Sequence, residues 1–274
     1  MAAAGFGHLT GRFWHVVRGR STGREEPPLT GPGVPVLLVH GLADGASVVS
    51  PLQRGLCDCG VGPVSSVSYN AHCPDIRAAA RVLGGQVELA CARGAGYPAA
   101  VIGYSLGGLV ARYYVQRLGG DAYVPLVITL ATPHSGSATA LLAPPHPLLR
   151  QLRPGSALLT ELAEPAKGCR TRFVAFYSDL DEAIIPAARG RIDHPDLEAL
   201  NILVPGVGHL TLPLHRPVID QIRSLLAALQ QDVVSLCPPH GDWPQRDGPV
   251  TYGGAAPRPR GTRDSEDETE EADR

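Results

Sequence analysis

One stretch, VIGYSLGGLV at positions 101–110, constrains the fold more than any other part of the chain. It passes from an apolar run through a glycine-flanked serine into a helical pattern, which predicts a strand, a sharp turn and a helix. Gly103 and Gly107 leave room for the neighbouring strand and the incoming helix. The turn would present the Ser105 hydroxyl at the helix N-terminus, where free backbone N–H groups favour developing negative charge. This arrangement suits a nucleophile, although a glycine-rich turn with an incidental serine has the same pattern, so the rest of the chain must decide.

Apolar runs alternate with helical patterns along most of the chain. Residues 36–39, VLLV, form an unbroken apolar run of the kind that parallel sheets bury on both faces. Helical spacing predicts helices over 48–56, after Asp75, after Ser105 and from Pro217. The alternation predicts an α/β fold, with a mainly parallel sheet of about six strands flanked by helices. The predicted strands are 36–39, 64–69, 99–104, 124–130, 172–178 and 199–204.

Changes in composition divide the chain into a core and flanking segments. Residues 1–32 form a leader whose basic and aromatic residues fit a short helix in weak contact with a membrane surface, a helix packed on the core or a frayed leader. Residues 33–236 form the α/β domain, and the proline-broken stretch at about 135–170 predicts a small helical cap insertion. Residues 237–274 lack apolar periodicity and end in acidic residues, which predicts a disordered tail.

The composition excludes several classes of protein. A net charge of -2 suggests no nucleic-acid partner, and the six cysteines lack the paired spacing of a zinc site, so we expect no metal site. Disulfide pairing stays open. No secretory signal and no apolar stretch of about 20 residues is visible, which predicts a cytoplasmic protein unless the true start lies upstream. We expect a monomer.

A reactive serine needs a histidine base, which a carboxylate must orient. Of the ten histidines only His209 directly follows a late predicted strand, in the sequence VPGVGH. The carboxylate is expected after the fifth predicted strand, where Asp179, Asp181 and Glu182 compete. We favour Asp181 because it precedes the apolar return AIIP, which would fix the loop.

Two backbone donors should stabilise the tetrahedral oxyanion. One is the Leu106 N–H at the start of the helix. The other is the Leu42 N–H in the loop after the first strand, which His40 would brace. Leu148, Leu149 and Leu158 of the insertion are expected to line an acyl-binding cleft over Ser105, with packing on the sheet edge as the alternative.

Five segments together resemble the α/β-hydrolase superfamily, in particular its bacterial lipase and esterase branch. That branch includes Bacillus-type triacylglycerol lipases and the GPI inositol-deacylase and lecithin-acyltransferase relatives. The resemblance implies a Ser, Asp, His triad in that chain order, which Ser105, Asp181 and His209 match, with Leu42 and Leu106 as oxyanion donors. Tyr104 departs from it, since many relatives have histidine there. The segments are VLLVHGL (36–42), GYSLGG (103–108), TLATPHSGS (129–137), YSDLDEAIIP (177–186) and VPGVGHLTLP (204–213).

These observations lead us to expect a cofactor-independent carboxylic-ester hydrolase of the lipase and esterase type, acting on small-molecule or lipid esters through an acyl-serine intermediate. The alternatives are an acyltransferase or thioesterase that uses the same residues, and a catalytically inactive binding protein on the same scaffold. Reaction with a fluorophosphonate probe, which requires an activated serine, would distinguish the enzymatic alternatives from the inactive binding protein.

Overall fold

A single parallel sheet lies at the centre of the structure. The computed structural model describes residues 33–42, 45–57, 62–67, 69, 75–94, 96–143 and 146–236, so the predicted leader and acidic tail lie outside the described residues. Within them the strands are β1 (Val36–Val39), β2 (Val64–Val67), β3 (Ala100–Tyr104), β4 (Leu126–Leu130), β5 (Arg172–Tyr177) and β6 (Glu198–Leu203). The strand order is β2-β1-β3-β4-β5-β6, and every neighbouring pair is parallel. The parallel sheet of about six strands expected from the sequence is confirmed.

Helices cover both faces of this sheet. The described helices are α1 (Gly45–Cys57), α2 (Ile76–Arg93), α3 (Leu106–Arg117), α4 (Thr139–Leu142), α5 (Pro147–Gln151), α6 (Ala157–Ala163) and α7 (Arg216–Leu236). None of them is both long and apolar enough to cross a membrane. The predicted strands and longer helices all form, with ends displaced by no more than a few residues. Helix α4 was not predicted, because four residues are too few to show a helical period.

Alternate residues of the strands pack into two separate cores. Leu37, Val101 and Val127 face a core that α2 and α3 complete, whereas their neighbours in the strands, such as Leu38 and Ile102, face a core that α1 and α7 complete. The central strands are therefore buried on both faces, which explains why VLLV reads as a continuous apolar run.

The helix after each of two adjacent strands lies on a different face of the sheet. Helix α1 follows β1 and packs on one face, and α3 follows β3 and packs on the other. Because β1 and β3 are neighbours, the loops that leave them diverge at the carboxyl edge of the sheet. In open α/β sheets such a divergence opens a crevice in which ligands bind. The loop at 40–42 and Ser105 both lie at this point.

The insertion between β4 and β5 adds to one helical layer. The Gln151 side chain accepts the Ile76 N–H at the start of α2, at 3.0 Å. The Arg77 guanidinium donates to the Glu161 carboxylate of α6, with Nε at 3.0 Å from Oε2. The Arg112 guanidinium of α3 donates to the Leu162 carbonyl at 3.0 Å. Helices α5 and α6 are therefore fixed to α2 and α3 by side-chain bonds as well as by apolar packing.

Candidate active site

Ser105 lies on a strained turn between β3 and α3. Its backbone has φ 54° and ψ −123°, in a region that non-glycine residues rarely occupy. Close packing holds it there, since a Cβ at Gly103 would lie 2.5 Å from the Gly108 Cα, and a Cβ at Gly107 would collide with the Val39 carbonyl oxygen. The Ser105 N–H donates to the Leu130 carbonyl at 2.8 Å, which ties the turn to β4. The glycines flanking the serine thus have the steric role that the sequence predicted.

The structure brings Ser105, His209 and Asp181 together from three loops at the carboxyl edge of the sheet. The His209 Nε2 lies 3.1 Å from the Ser105 Oγ, and its Nδ1 lies 3.0 and 2.9 Å from the two Asp181 carboxylate oxygens. His209 is 2% exposed and Asp181 5%, so solvent scarcely reaches the histidine–carboxylate pair. Such a chain of bonds can take a proton from the hydroxyl while the carboxylate holds the ring in the tautomer with a proton on Nδ1.

The loop after β5 explains why Asp181, and neither of its acidic neighbours, meets the histidine. The Asp181 Oδ1 also accepts the backbone N–H groups of Ala183 and Ile184, both at 2.9 Å. Ile184 is buried in the core, so the apolar return after the aspartate does fix the loop. The carboxylate is therefore held from its own loop as well as by the imidazole.

Asp179 and Glu182, the competing acids, bind the histidine loop by its backbone. The Asp179 Oδ1 accepts the Gly206 N–H at 2.7 Å, and the Glu182 Oε2 accepts the His209 N–H at 3.0 Å. Both side chains lie on exposed residues. The sequence identified these residues as loop acids but gave no sign that they connect the two loops.

Tyr104 packs against the imidazole. Its ring centroid lies 5.3 Å from that of His209 with the planes tilted by 42°, and its hydroxyl donates to the His209 carbonyl at 3.4 Å. Burial raises the pKa of Tyr104, and the charges of Asp181 and Glu182 raise it further, so the phenol stays protonated. The departure from the lipase pattern at this position therefore places a neutral aromatic ring beside the histidine.

The two predicted oxyanion donors belong to segments that flank Ser105. Leu106 is the first residue of α3, where backbone N–H groups have no acceptor within the helix. Gly41 lies beside the serine, since a Cβ built on it would be 3.1 Å from the Ser105 Cβ and 3.6 Å from its Oγ. Leu42 follows in the same loop. The His40 Nδ1 lies 2.8 Å from the Gly41 carbonyl oxygen, which agrees with the bracing role expected for this histidine.

The leucines expected to line an acyl cleft are buried among other side chains. Leu148 is 3% exposed, Leu149 6% and Leu158 0%. Leu148 and Leu158 belong to the core that α2 and α3 complete. The exposed leucines of the insertion are instead Leu141 and Leu142 of α4, at 56% and 83%. These three leucines are packed as core residues. Their contact with an acyl chain stays a prediction.

A buried hydrogen bond joins His134 to Thr129 of β4 and was not predicted. The His134 Nε2 is 2.9 Å from the Thr129 Oγ1, and the Arg112 Nη1 donates to the His134 carbonyl at 3.2 Å. Burial lowers the pKa of His134 well below its usual value, and the positive charge of Arg112 adds to this. Burial likewise lowers the pKa of Arg112 to about 10, with the nearby Arg117 contributing. His134 is therefore a neutral structural residue at neutral pH.

Comparison with known proteins agrees with this fold. Lipase B of Aspergillus fumigatus superposes with a TM-score of 0.63 at 15% identity, over 71% of this chain and 52% of the lipase, so the chain spans about half the length of that enzyme. A mature lipase of Bacillus licheniformis gives 0.61 at 16% identity, over 73% of this chain and 96% of the lipase. An esterase of Pyrobaculum calidifontis gives 0.55 at 14% identity, over 76% and 79%. At such identities the likeness shows the fold.

Sequence comparison gives the family. No curated protein sequence matches the chain. A family model described as palmitoyl protein thioesterase matches residues 35–187, which is more than half of the 274 residues and includes β1 to β5 with Ser105 and Asp181. That description indicates a hydrolase of ester-type bonds. On this match the chain, folded as an α/β-hydrolase, belongs to the palmitoyl protein thioesterase family.

Proposed function

We propose that this protein is a serine hydrolase that cleaves carboxylic esters through an acyl-Ser105 intermediate. The observation that carries the proposal is the chain of bonds from the Ser105 hydroxyl through the His209 imidazole to the Asp181 carboxylate. A serine hydroxyl with its ordinary pKa is a weak nucleophile, and an adjacent oriented base is the usual means of activating it.

The reaction divides into two acyl transfers. In the first, the Ser105 Oγ attacks the ester carbonyl carbon as its proton passes to the His209 Nε2, and the resulting oxyanion accepts hydrogen bonds from the N–H groups of Leu106 and Leu42. The intermediate collapses when the bond to the leaving group breaks and the imidazolium protonates that group. In the second, water attacks the acyl-serine with His209 as base, releasing the carboxylic acid and the free serine. Asp181 holds the imidazole and stabilises its charged form in both steps.

The surroundings of the serine favour an apolar acyl group. Two exposed leucines adjoin the triad residues in the chain: Leu180 next to Asp181, and Leu210 next to His209. Apolar side chains beside the acyl-accepting atom contribute about 0.8 kcal/mol for each methylene that they shield from water. We therefore expect medium or long acyl chains to be hydrolysed better than acetyl esters.

Thioesters are the second candidate class, favoured by the match to the palmitoyl protein thioesterase family model. The same acyl-serine forms from either substrate, since only the leaving group differs, an alcohol in one case and a thiol in the other. Transfer of the acyl group to an alcohol in place of water would make the protein an acyltransferase. The fold does not separate these outcomes.

Matched substrates test the proposal. The wild-type protein and Ser105→Ala are assayed with esters and thioesters that carry the same acyl group, from acetyl to palmitoyl, in water and with added alcohol. The proposal expects hydrolysis by the wild type that rises with chain length and disappears in Ser105→Ala. Hydrolysis confined to thioesters would favour the second candidate, and equal rates for the two proteins would contradict both.

A further inference from the structure

We infer that Tyr69 is a positioning residue for the oxyanion hole, because its buried hydroxyl holds the backbone segment that carries the Leu42 N–H. This inference rests on the proposed acyl-serine chemistry. Tyr69 follows β2, outside the motifs that the sequence singled out, and is 7% exposed.

The hydroxyl of Tyr69 contacts two consecutive carbonyl groups of the loop after β1. It donates to the His40 carbonyl oxygen at 2.6 Å and lies 3.2 Å from that of Gly41. The Gly41 carbonyl has a second partner in the His40 Nδ1, at 2.8 Å. The two rings stack, with centroids 4.3 Å apart and planes 12° from parallel. Tyr69 and His40 therefore hold both peptide groups that flank Gly41.

These contacts also determine the direction of the Leu42 N–H, because of the geometry of the peptide bond. A trans peptide is planar and carries its carbonyl and its N–H on opposite edges. With the Gly41 carbonyl held toward the Tyr69 hydroxyl and the His40 ring, the Leu42 N–H is directed to the opposite edge of the same plane. The phenol thus fixes the orientation of a donor that it does not touch.

The loop segment that Tyr69 and His40 hold lies beside Ser105. Gly41 approaches Ser105 so closely that an added Cβ would be 3.1 Å from the serine Cβ. The Leu106 N–H, the other expected donor, follows the serine directly at the start of α3. We therefore place the oxyanion between these two segments, with the Leu106 N–H and the Leu42 N–H as its donors.

A donor that is held in place stabilises the transition state more than the bound substrate, because the negative charge develops only as the tetrahedral intermediate forms. Loss of the Tyr69 hydroxyl should consequently lower kcat and leave KM nearly unchanged. Removal of an oxyanion donor itself typically lowers kcat by about 10² to 10³. Tyr69 only orients the donor, so we expect a fall of roughly tenfold to thirtyfold.

Tyr69→Phe tests this inference, since it removes one oxygen and keeps the ring that stacks on His40. Tyr113→Phe is the matched control: Tyr113 is 8% exposed and its hydroxyl donates to Glu161 at 3.1 Å, away from the loop. The wild type and both variants are compared for kcat and KM on a p-nitrophenyl ester and for inhibition by an aliphatic trifluoromethyl ketone. The ketone forms a tetrahedral adduct with an activated serine, and its oxygen occupies the oxyanion position.

The expected result is a kcat loss in Tyr69→Phe alone, with the affinity for the ketone falling by the same factor as kcat/KM and KM within twofold of the wild type. If Tyr69→Phe does not fold, 4-fluorophenylalanine incorporated at position 69 fills the space of the hydroxyl without an O–H donor and should give the same selective loss. A kcat and ketone affinity within twofold of the wild type in the folded variant would overturn the inference. Hydrolysis by neither the wild type nor any variant would instead contradict the proposed function, and the inference with it.

Discussion

Truncation of Leu158 distinguishes a core residue from the wall of an acyl cleft. Leu158 of α6 is 0% exposed and packs in the core that α2 and α3 complete. Replacing a buried leucine by alanine usually lowers the free energy of unfolding by about 2–5 kcal/mol. For a domain of about 200 residues each kcal/mol lowers Tm by roughly 2–4 °C, so we expect Leu158→Ala to melt about 4–20 °C earlier. Leu142→Ala, at a position 83% exposed, should change stability by less than about 0.5 kcal/mol.

The assay combines thermal unfolding with hydrolysis of p-nitrophenyl esters from acetyl to palmitoyl. If Leu158 is a core residue, the variant melts earlier and its rates on short and long esters change by the same factor. If Leu158 lines the cleft, rates fall selectively on long chains, because each methylene left without an apolar partner loses about 0.8 kcal/mol of binding. An unchanged Tm together with a selective loss on palmitoyl esters would refute the packing argument and support the original expectation for these leucines.

Three further predictions follow from the site and its surroundings. Asp181→Asn should lower kcat by about 10⁴ in a steady-state assay. Asp179→Asn keeps an oxygen that can accept its backbone N–H, so its kcat should stay within a few-fold of the wild type. The reverse ranking would move the catalytic carboxylate to Asp179. Burial lowers the pKa of His134 below the 6.5 of an unfolded chain, so below about pH 6.5 the unfolded state binds a proton that the native state does not. The stability is therefore complete above about pH 6.5, and the free energy of unfolding falls by up to about 1.4 kcal/mol per pH unit as the pH drops below it. Urea unfolding of His134→Gln should show a smaller slope in this window, and an unchanged slope would assign the acid sensitivity to other groups. Gly107→Ala should yield little folded protein, since the added methyl collides with the Val39 carbonyl oxygen, and a soluble, active variant would contradict the steric account of the turn.

The parts of the fold with strong local signals were predictable from the sequence. The apolar run VLLV and the glycine-flanked serine each have a local sequence pattern and a packing requirement that indicate the same structure. Both form that structure. The helix predicted after Asp75 also forms, and Asp75 caps it by accepting the Arg77 N–H at 3.0 Å. In each case the residues that determine the structure lie within a few positions of one another.

Contacts between distant segments were not predictable in the same way. The Tyr69 hydroxyl reaches the loop after β1 only because β1 and β2 are paired. A tyrosine at the end of a short predicted strand does not reveal which strand will lie beside it. The leucines of the insertion were recognised as apolar, but three helices of four to seven residues do not show which side will be covered. Leu148 and Leu158 are buried because α5 and α6 bind α2 and α3, and those bonds join residues far apart in the chain.

The central claim is that the acyl group of the substrate passes to Ser105. It is tested most directly by quenching the protein with acid during turnover of a p-nitrophenyl ester and measuring its intact mass, followed by peptide mapping. The account predicts an added mass equal to one acyl group, located on the peptide that contains Ser105 and missing in Ser105→Ala, which should also keep less than about one per cent of the wild-type rate. Hydrolysis that continues in Ser105→Ala, or an acyl group found on another residue, would contradict it.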